Sequence, residues 1–171
     1  MNNLYHYLTQ TAKFERELNH DTPIAGLSDF VLSEGQQWPQ GRCKIKRRKL
    51  GECYANATKV ALAAPHKYRY VEGYGLKPNL VPLLHAWLVL ADGSVVDNTW
   101  QHIDGTLYYG VAFDAEYLYE AIHFKGTYGL LTEGCMLTPL TLGLEKDYPY
   151  KSGMVRASRM GGANPVYGAS S

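Results

Sequence analysis

Cysteine is scarce in this sequence, and its arrangement argues against two common structural roles. The three cysteines are Cys43, Cys53 and Cys135. An odd number at such wide spacing is a poor disulfide framework. No Cys-x-x-Cys pair is present, so a structural zinc site of the usual spacing is not expected. The thiols are therefore predicted to be free to act chemically.

Long apolar segments are lacking as well. Residues 1–20 contain no apolar stretch of the kind found in secretory signals. Nowhere does the chain approach the roughly 18 consecutive apolar residues that a membrane-spanning helix needs. We therefore expect a cytoplasmic protein without a membrane partner, in a reducing environment.

The sequence has no large excess of charge of either sign. It contains 17 Lys and Arg residues and 16 Asp and Glu residues, for a net charge of +1. A chain of this charge has no overall attraction to nucleic acid or to anionic membranes. The six histidines offer no recognisable set of metal ligands, and we expect neither a metal nor a cofactor.

The length of 171 residues fits one domain, or one domain with a tail. From Pro149 onward the chain is rich in Gly, Ser, Ala and Pro, a composition that does not build a packed core. We predict a single domain over residues 1–148 and a flexible C-terminal tail over residues 149–171. No internal repeat is present.

Four segments have the spacing or composition of helices. They are residues 3–19, Leu27–Leu32, Cys53–Ala64 and Ala115–Ile122. Pro65 ends the third, alanine-rich helix, and Asp114 is the expected N-cap of the fourth. The remainder of residues 24–42 shows no clear period and is predicted to be loop.

Aromatic and β-branched segments predict an antiparallel sheet beside these helices. They are Tyr68–Tyr74, His85–Leu90, Ser94–Trp100 and residues 107–113. Asp92-Gly93 is a strong turn signal between the second and third of these strands. Strands and helices in this order indicate an α+β fold.

Cys53 stands at the predicted start of a helix. The N-terminus of a helix carries partial positive charge and N–H groups without partners, both of which favour the thiolate over the thiol. The same N–H groups would stabilise an oxyanion after attack on a carbonyl. A histidine nearby would transfer the proton, and a carboxylate would orient the histidine.

His85 and Asp97 are the best candidates for these partners, provided that the hairpin has one particular turn. A two-residue Asp92-Gly93 turn would place the two side chains on opposite faces of the sheet. A three-residue turn, Ala91-Asp92-Gly93, with Gly93 in the left-handed conformation makes them diagonal neighbours on one face. Diagonal Cα atoms lie roughly 7–8 Å apart, within reach of an Asp–His hydrogen bond. We predict the three-residue turn.

Three segments of residues 50–100 resemble, in the usual order, the core of transglutaminase-like enzymes. Gly51-Glu52-Cys53-Tyr54-Ala55-Asn56-Ala57 resembles the G-x-C-x-x-x-A helix start, and Tyr68–Tyr74 resembles the strand A-R-Y-V-x-G-Y. His85-Ala86-Trp87, followed by Val96-Asp97-Asn98-Thr99, resembles H-A-W-V and then D-P-T. Asn98 stands where the family often has proline, and the interval from His85 to Asp97 is a few residues short.

The resemblance implies an α+β, papain-like fold in which the nucleophilic cysteine at a helix N-terminus packs on an antiparallel sheet carrying His and Asp. It implies Cys53 as nucleophile, His85 as general base and acid, and Asp97 as the orienting carboxylate. Such an enzyme is an amide hydrolase or acyl transferase that acts through a thioester on a peptide, a protein or a small amide. A side-chain donor to the oxyanion would come from Gln36, Gln37, Trp38 or Gln40, among which no spacing decides.

A different class of function stays open: a non-catalytic binding or inhibitory protein on the same scaffold. The basic run 44–49 holds five of the 17 Lys and Arg residues. It is either a solvated loop or a site that brings an anionic substrate or partner, nucleic acid included, close to Cys53. The aromatic residues Trp87, Trp100, Tyr108 and Tyr109 are expected in the core or the wall of a cleft.

Overall fold

In the computed structural model, the described part of the chain forms an α+β fold of four helices and a curled antiparallel sheet. The structure describes residues 3–41, 45–100, 103–133, 136–137 and 154–155. No helix within these ranges has the length and apolar character to span a membrane.

All four predicted helices are present. They are α1 (Asn3–Leu18), α2 (Leu27–Glu34), α3 (Cys53–Ala63) and α4 (Ala115–Lys125). Helix α4 continues three residues beyond its predicted end, up to the left-handed C-cap Gly126, where φ is +71°. Glycine adopts this conformation without the steric cost that a Cβ brings, so the helix ends where the glycine stands.

The described strands are short, and they pair with one another antiparallel. They are β1 (Gln36–Trp38), β2 (Arg69–Leu76), β3 (Leu83–Val89), β4 (Val95–Val96), β5 (Leu107–Phe113), β6 (Thr132–Glu133), β7 (Met136–Leu137) and β8 (Met154–Val155). The main sheet has the order β1-β5-β2-β3-β4, with β8 also on β5, and β6 pairs with β7 separately.

Two strand predictions are wrong in part. Gln36–Trp38 is strand rather than loop, because it pairs with β5 and Trp38 Nε1 donates a 2.9 Å hydrogen bond to the Gly110 carbonyl. The predicted strand Ser94–Trp100 is only two residues long. It ends because the Asp97 side chain accepts the N–H groups of the residues that would continue it, which turns the chain away.

The hairpin between β3 and β4 has the predicted three-residue turn. Leu90 N–H donates to the Ser94 carbonyl at 3.0 Å, and Gly93 N–H donates to the Leu90 carbonyl at 2.9 Å. Gly93 has φ +80°, the left-handed value that a G1 bulge requires. Asp92 Oδ1 accepts the Ser94 N–H at 2.9 Å, which is a turn role.

The two faces of the sheet have different cores. The four helices cover one face, with Tyr70, Leu88 and Phe113 among the buried strand residues there. On the opposite face lie Trp87 and Tyr108 with five further residues, which are Trp38, Val71, Val89, Val95 and Ala112. His85 is two residues from Trp87 on the same strand, so it belongs to this second face.

Glu72 is a buried carboxylate within β2 that fixes a distant segment to the sheet. Its oxygens accept hydrogen bonds from the Tyr70 hydroxyl at 2.7 Å and from the N–H groups of Leu130 at 2.7 Å and Leu131 at 2.9 Å. A buried carboxylate is tolerated where several donors replace its hydration. The chain after α4 is thereby held against the sheet.

Several predictions fall wholly or partly outside the described residues. Cys43, Cys135 and Lys44 lie there, as does most of the predicted tail, residues 149–171. Within that tail, Met154 pairs with Phe113 and Val155 with Ala112. The division into a domain of residues 1–148 and a flexible tail stays a prediction.

Candidate active site

Cys53 is the first residue of α3, and its side chain is partly exposed. Gly51, with φ +82°, makes the turn into the helix in a conformation that favours glycine. Asn56 N–H donates to the Glu52 carbonyl at 2.8 Å, the first bond of the helix. The N–H groups before it have no carbonyl partner within the helix, and they give this end of the helix, where Cys53 stands, a partial positive charge.

His85 lies on β3 and joins the thiol to the carboxylate. Its side chain is 1% exposed, and Nε2 is 2.8 Å from Oδ2 of Asp97. The Cys53 side chain is close enough to the imidazole to be one of the groups that raise its pKa. Because Nε2 is engaged by Asp97, Nδ1 is the nitrogen that remains for the sulfur.

Asp97 is fixed by four donors. Oδ1 accepts the N–H groups of Thr99 at 2.8 Å and Trp100 at 2.9 Å. Oδ2 accepts the Tyr108 hydroxyl at 2.9 Å, in addition to His85. With both oxygens held, the carboxylate has one orientation, and His85 is aligned by it.

The electrostatics of the pair favour charge on both groups. Burial lowers the pKa of His85, but the hydrogen bond with Asp97 and the influence of the nearby Cys53 side chain outweigh it, so the pKa lies above its ordinary value. Burial likewise raises the pKa of Asp97, but the hydrogen bond from His85 and those from the N–H groups of Trp100 and Thr99 leave it below its ordinary value. The surroundings therefore stabilise the charged forms of both groups more than burial destabilises them.

The indole of Trp100 covers one side of the imidazole. The rings of Trp100 and His85 stack with centroids 3.8 Å apart and planes 10° apart. Gly75 on β2 makes room for this stack, since a Cβ there would lie 2.6 Å from Cη2 and Cζ3 of Trp100. The stack keeps water away from the His85–Asp97 hydrogen bond, which strengthens it.

Two asparagines connect α3 to the loop that carries Asp97. Asn56 Nδ2 donates to Thr99 Oγ1 at 3.0 Å, and Asn98 Nδ2 donates to the Asn56 carbonyl at 2.8 Å. Asn98, a departure from the family-like motif, thus has a structural role that proline does not provide. These bonds fix the start of the helix relative to Asp97.

The structure brings the three predicted residues, Cys53, His85 and Asp97, into one cluster. It adds Tyr108 and Trp100, which the sequence placed only in the core or a cleft wall. Asn56, a polar residue in an otherwise alanine-rich helix, is a sequence signal for a hydrogen bond from α3 to another segment, here the one that carries Asp97. No sequence signal indicates the hydrogen bond from Tyr108 to Asp97, because that bond depends on the order of the strands in the sheet.

Two of the four upstream residues expected as oxyanion donors, Trp38 and Gln40, have other partners. Trp38 Nε1 donates to the Gly110 carbonyl, and Gln40 Nε2 donates to the Ile103 carbonyl. Both donors are therefore engaged away from the thiol. The N–H groups at the start of α3 are better placed, because they belong to the same turn as Cys53.

Comparison of the chain with models of protein families, with curated proteins and with solved structures gives no significant match.

Proposed function

We propose that this protein is a cysteine-dependent amide hydrolase or acyl transferase with Cys53 as its nucleophile. The observation that carries the proposal is the position of buried His85, which lies 2.8 Å from Asp97 and has its pKa raised by both Asp97 and the nearby Cys53 side chain. A thiol, an imidazole and a carboxylate in this order form the arrangement that activates a nucleophile in many unrelated hydrolases.

The reaction divides into two acyl transfers. The Cys53 thiolate attacks the carbonyl carbon of an amide and forms a carbon–sulfur bond, while the N–H groups at the start of α3 stabilise the oxyanion. His85, as imidazolium, gives its proton to the leaving nitrogen as the carbon–nitrogen bond breaks. The products of this half are a free amine and a thioester on Cys53.

The second half consumes the thioester. His85, now neutral, takes a proton from water or from an acceptor amine, which attacks the thioester carbonyl. The carbon–sulfur bond breaks and the thiolate is restored. Asp97 holds the imidazole in its orientation throughout and stabilises its charged form. Water gives hydrolysis, and an amine gives acyl transfer.

For the scaffold, we propose a transglutaminase-like, papain-like arrangement. It is supported by the thiol at the start of α3, by His85 on β3 and by Asp97 directly after β4, in a sheet whose named strands pair antiparallel. The substrate class implied is a peptide, a protein or a small amide, and a cytoplasmic location is part of the same proposal.

Selective alkylation tests the nucleophile directly. We expect iodoacetamide to modify Cys53 faster than Cys43 and Cys135 near neutral pH, with the sites distinguished by peptide mass spectrometry. His85→Ala is expected to remove this preference, because the thiolate loses its imidazolium partner. His66→Ala is the matched control, since His66 is exposed and follows the far end of α3, about 15 Å from Cys53.

A covalent intermediate tests the reaction itself. With p-nitrophenyl acetate, the wild type is expected to release a burst of one p-nitrophenol per protein and to gain one acetyl group on Cys53. Cys53→Ser is expected to show neither. Equal, slow labelling of all three cysteines, with no burst, would instead favour a non-catalytic binding or inhibitory protein.

A further inference from the structure

Four exposed cationic residues lie shortly before Cys53 in the sequence. Lys46, Arg47, Arg48 and Lys49, here called the basic strip, are exposed and end four residues before Cys53. The net charge of the chain is only +1, so this concentration of positive charge is local. A local patch acts on ligands within about one Debye length, some 8–10 Å at ordinary ionic strength.

The backbone of the basic strip is fixed to both sides of the candidate active site. Arg48 N–H donates a 2.8 Å hydrogen bond to the carbonyl of Asn98, which directly follows Asp97. The Lys49 carbonyl accepts a 2.8 Å hydrogen bond from Asn56, one helical turn after Cys53. The strip is thus held against the segments that carry the nucleophile and the carboxylate.

Most of the charge on the basic strip is available to a ligand. Lys49 is paired with Glu52 at 2.6 Å. Among the described residues, Lys46, Arg47 and Arg48 form no ion pair. Asp97, the buried carboxylate of the candidate active site, already pairs with His85. Exposed cations without acidic partners favour an anion supplied from outside.

Arg47 also acts on the site electrostatically. Burial, followed by the charge of Asp97, raises the pKa of Tyr108 far above its ordinary value, and the charge of Arg47 works in the opposite direction. The charge of Arg47 therefore reaches Tyr108, the residue whose hydroxyl donates to Asp97. Together with the hydrogen bond from Arg48 N–H to the Asn98 carbonyl, this puts the basic strip near the carboxylate side of the candidate active site.

The dimensions of the basic strip favour a peptide over nucleic acid. Four residues span at most about 13 Å, the length of about four residues of an extended peptide. Specific nucleic-acid binding generally uses a broader basic surface and many phosphate contacts. A reaction at an amide carbonyl also requires a substrate that contains amides.

We propose that the basic strip recognises acidic side chains of a peptide substrate near the amide that Cys53 attacks. The substrate role rests on the proposed function. Arg47 and Arg48 are the principal contacts, because a guanidinium pairs with a carboxylate through two parallel hydrogen bonds.

A pair of reagents that differ in charge tests the field at the thiol. Iodoacetate and iodoacetamide have the same leaving group and nearly the same size, but only iodoacetate is anionic. We divide the rate of Cys53 alkylation by iodoacetate by the rate of its alkylation by iodoacetamide. In Arg47→Gln/Arg48→Gln we expect this ratio to fall about three- to tenfold, because the anionic reagent loses the attraction of the two arginines. Lys13→Gln/Lys67→Gln, which removes two exposed cations elsewhere, is expected to leave the ratio unchanged. An unchanged ratio in the arginine variant would overturn the proposal.

Binding of a labelled glutamate-rich peptide tests the substrate class. Fluorescence anisotropy with Cys53→Ser is expected to show binding that weakens with salt, that Arg47→Gln/Arg48→Gln reduces, and that a matched glutamine-rich peptide lacks. Tighter binding of an oligothymidylate than of the peptide at the same salt would overturn the peptide assignment.

The two proposals fail in different ways. A bound glutamate-rich peptide together with an unreactive Cys53 would refute the substrate role and the thiol reaction, and would leave a site for an acidic ligand. If Cys53 reacts selectively but the reagent ratio is unchanged in Arg47→Gln/Arg48→Gln, only the proposed role of the basic strip is refuted.

Discussion

The hydroxyl of Tyr108 donates a 2.9 Å hydrogen bond to Oδ2 of Asp97, the same oxygen that lies 2.8 Å from His85 Nε2. Tyr108 is on β5, which β2 and β3 separate from β4, the strand that ends just before Asp97. The contact therefore crosses much of the sheet. It makes the orientation of the carboxylate depend on the whole fold rather than on one hairpin.

Tyr108→Phe is expected to weaken the fold and to change the interaction of Asp97 with His85. Loss of a buried hydrogen bond to a charged group costs about 1.5–3 kcal/mol of unfolding free energy. Without the hydroxyl, Asp97 accepts more strongly from His85, so we expect the pKa of His85 to rise further. Urea denaturation measures the first effect, and the pH profile of Cys53 alkylation measures the second.

Tyr119→Phe is the control for this change. Tyr119 is exposed on α4, so removal of its hydroxyl is expected to alter the unfolding free energy by less than about 0.5 kcal/mol. A Tyr108→Phe protein with wild-type stability and an unchanged profile would show that the hydrogen bond to Asp97 has no role in positioning.

The pH dependence of activity follows from the raised pKa of His85. If the reactive state is a thiolate–imidazolium pair, activity is lost as the imidazolium loses its proton, so the alkaline limb lies above about 6.5, the ordinary pKa of histidine. Cys53, Asp97 and Tyr108 are the titratable groups that face the imidazole. The alkaline limb of the pH profile therefore reports the titration of these coupled groups together with His85. Asp97→Asn is expected to move this limb to lower pH, because the amide no longer stabilises the imidazolium.

Stability has its own pH signature, with the opposite sign for each partner. The raised pKa of His85 gives stability that is fully present below its unfolded pKa and is lost as pH rises through the folded value. The lowered pKa of Asp97 gives stability that is present above its unfolded pKa and is lost as pH falls through the folded value. The difference in unfolding free energy between wild type and Asp97→Asn should be greatest between about pH 4 and 6.5. A difference independent of pH would contradict the charged pair.

Gly75→Ala is expected to displace Trp100 from His85. The new Cβ would lie 2.6 Å from two indole carbons, an overlap that costs about 1–3 kcal/mol when the ring is forced aside. A double-mutant cycle with Trp100→Ala checks the cause, since Gly75→Ala should cost almost nothing once the indole is absent. If Gly75→Ala lowers the unfolding free energy equally in the wild type and in Trp100→Ala, contact with the indole is not the cause of the strain.

Gly93→Ala tests the turn that sets the register of β3 and β4. The left-handed conformation at φ +80° costs a residue with a Cβ about 1–2 kcal/mol. Gly93→Asn is the matched variant, because asparagine adopts this conformation more readily. Thermal unfolding should rank wild type above Gly93→Asn and Gly93→Asn above Gly93→Ala. An alanine variant as stable as the wild type would count against the strained turn.

Local features of the sequence sufficed for the parts of the site that depend on near neighbours. The alanine-rich segment closed by Pro65 predicted α3 with Cys53 at its start. The three-residue turn ending at Gly93 predicted that His85 and Asp97 share a face. Both predictions hold because helix formation and hairpin register depend on backbone preferences over a few residues.

Only the tertiary structure decided which distant groups meet. The pairing of β1 with β5, the stack of Trp100 on His85, and the hydrogen bond from Tyr108 to Asp97 each join segments whose order in the sheet no sequence period specifies. Space for them depends on glycines such as Gly75, whose missing Cβ matters only once a ring lies against it. The sequence by itself determined a helix that begins at Cys53 and a turn that brings His85 and Asp97 to one face. Packing across the sheet determined how the carboxylate is held, because contacts between distant strands arise only when the chain closes on itself.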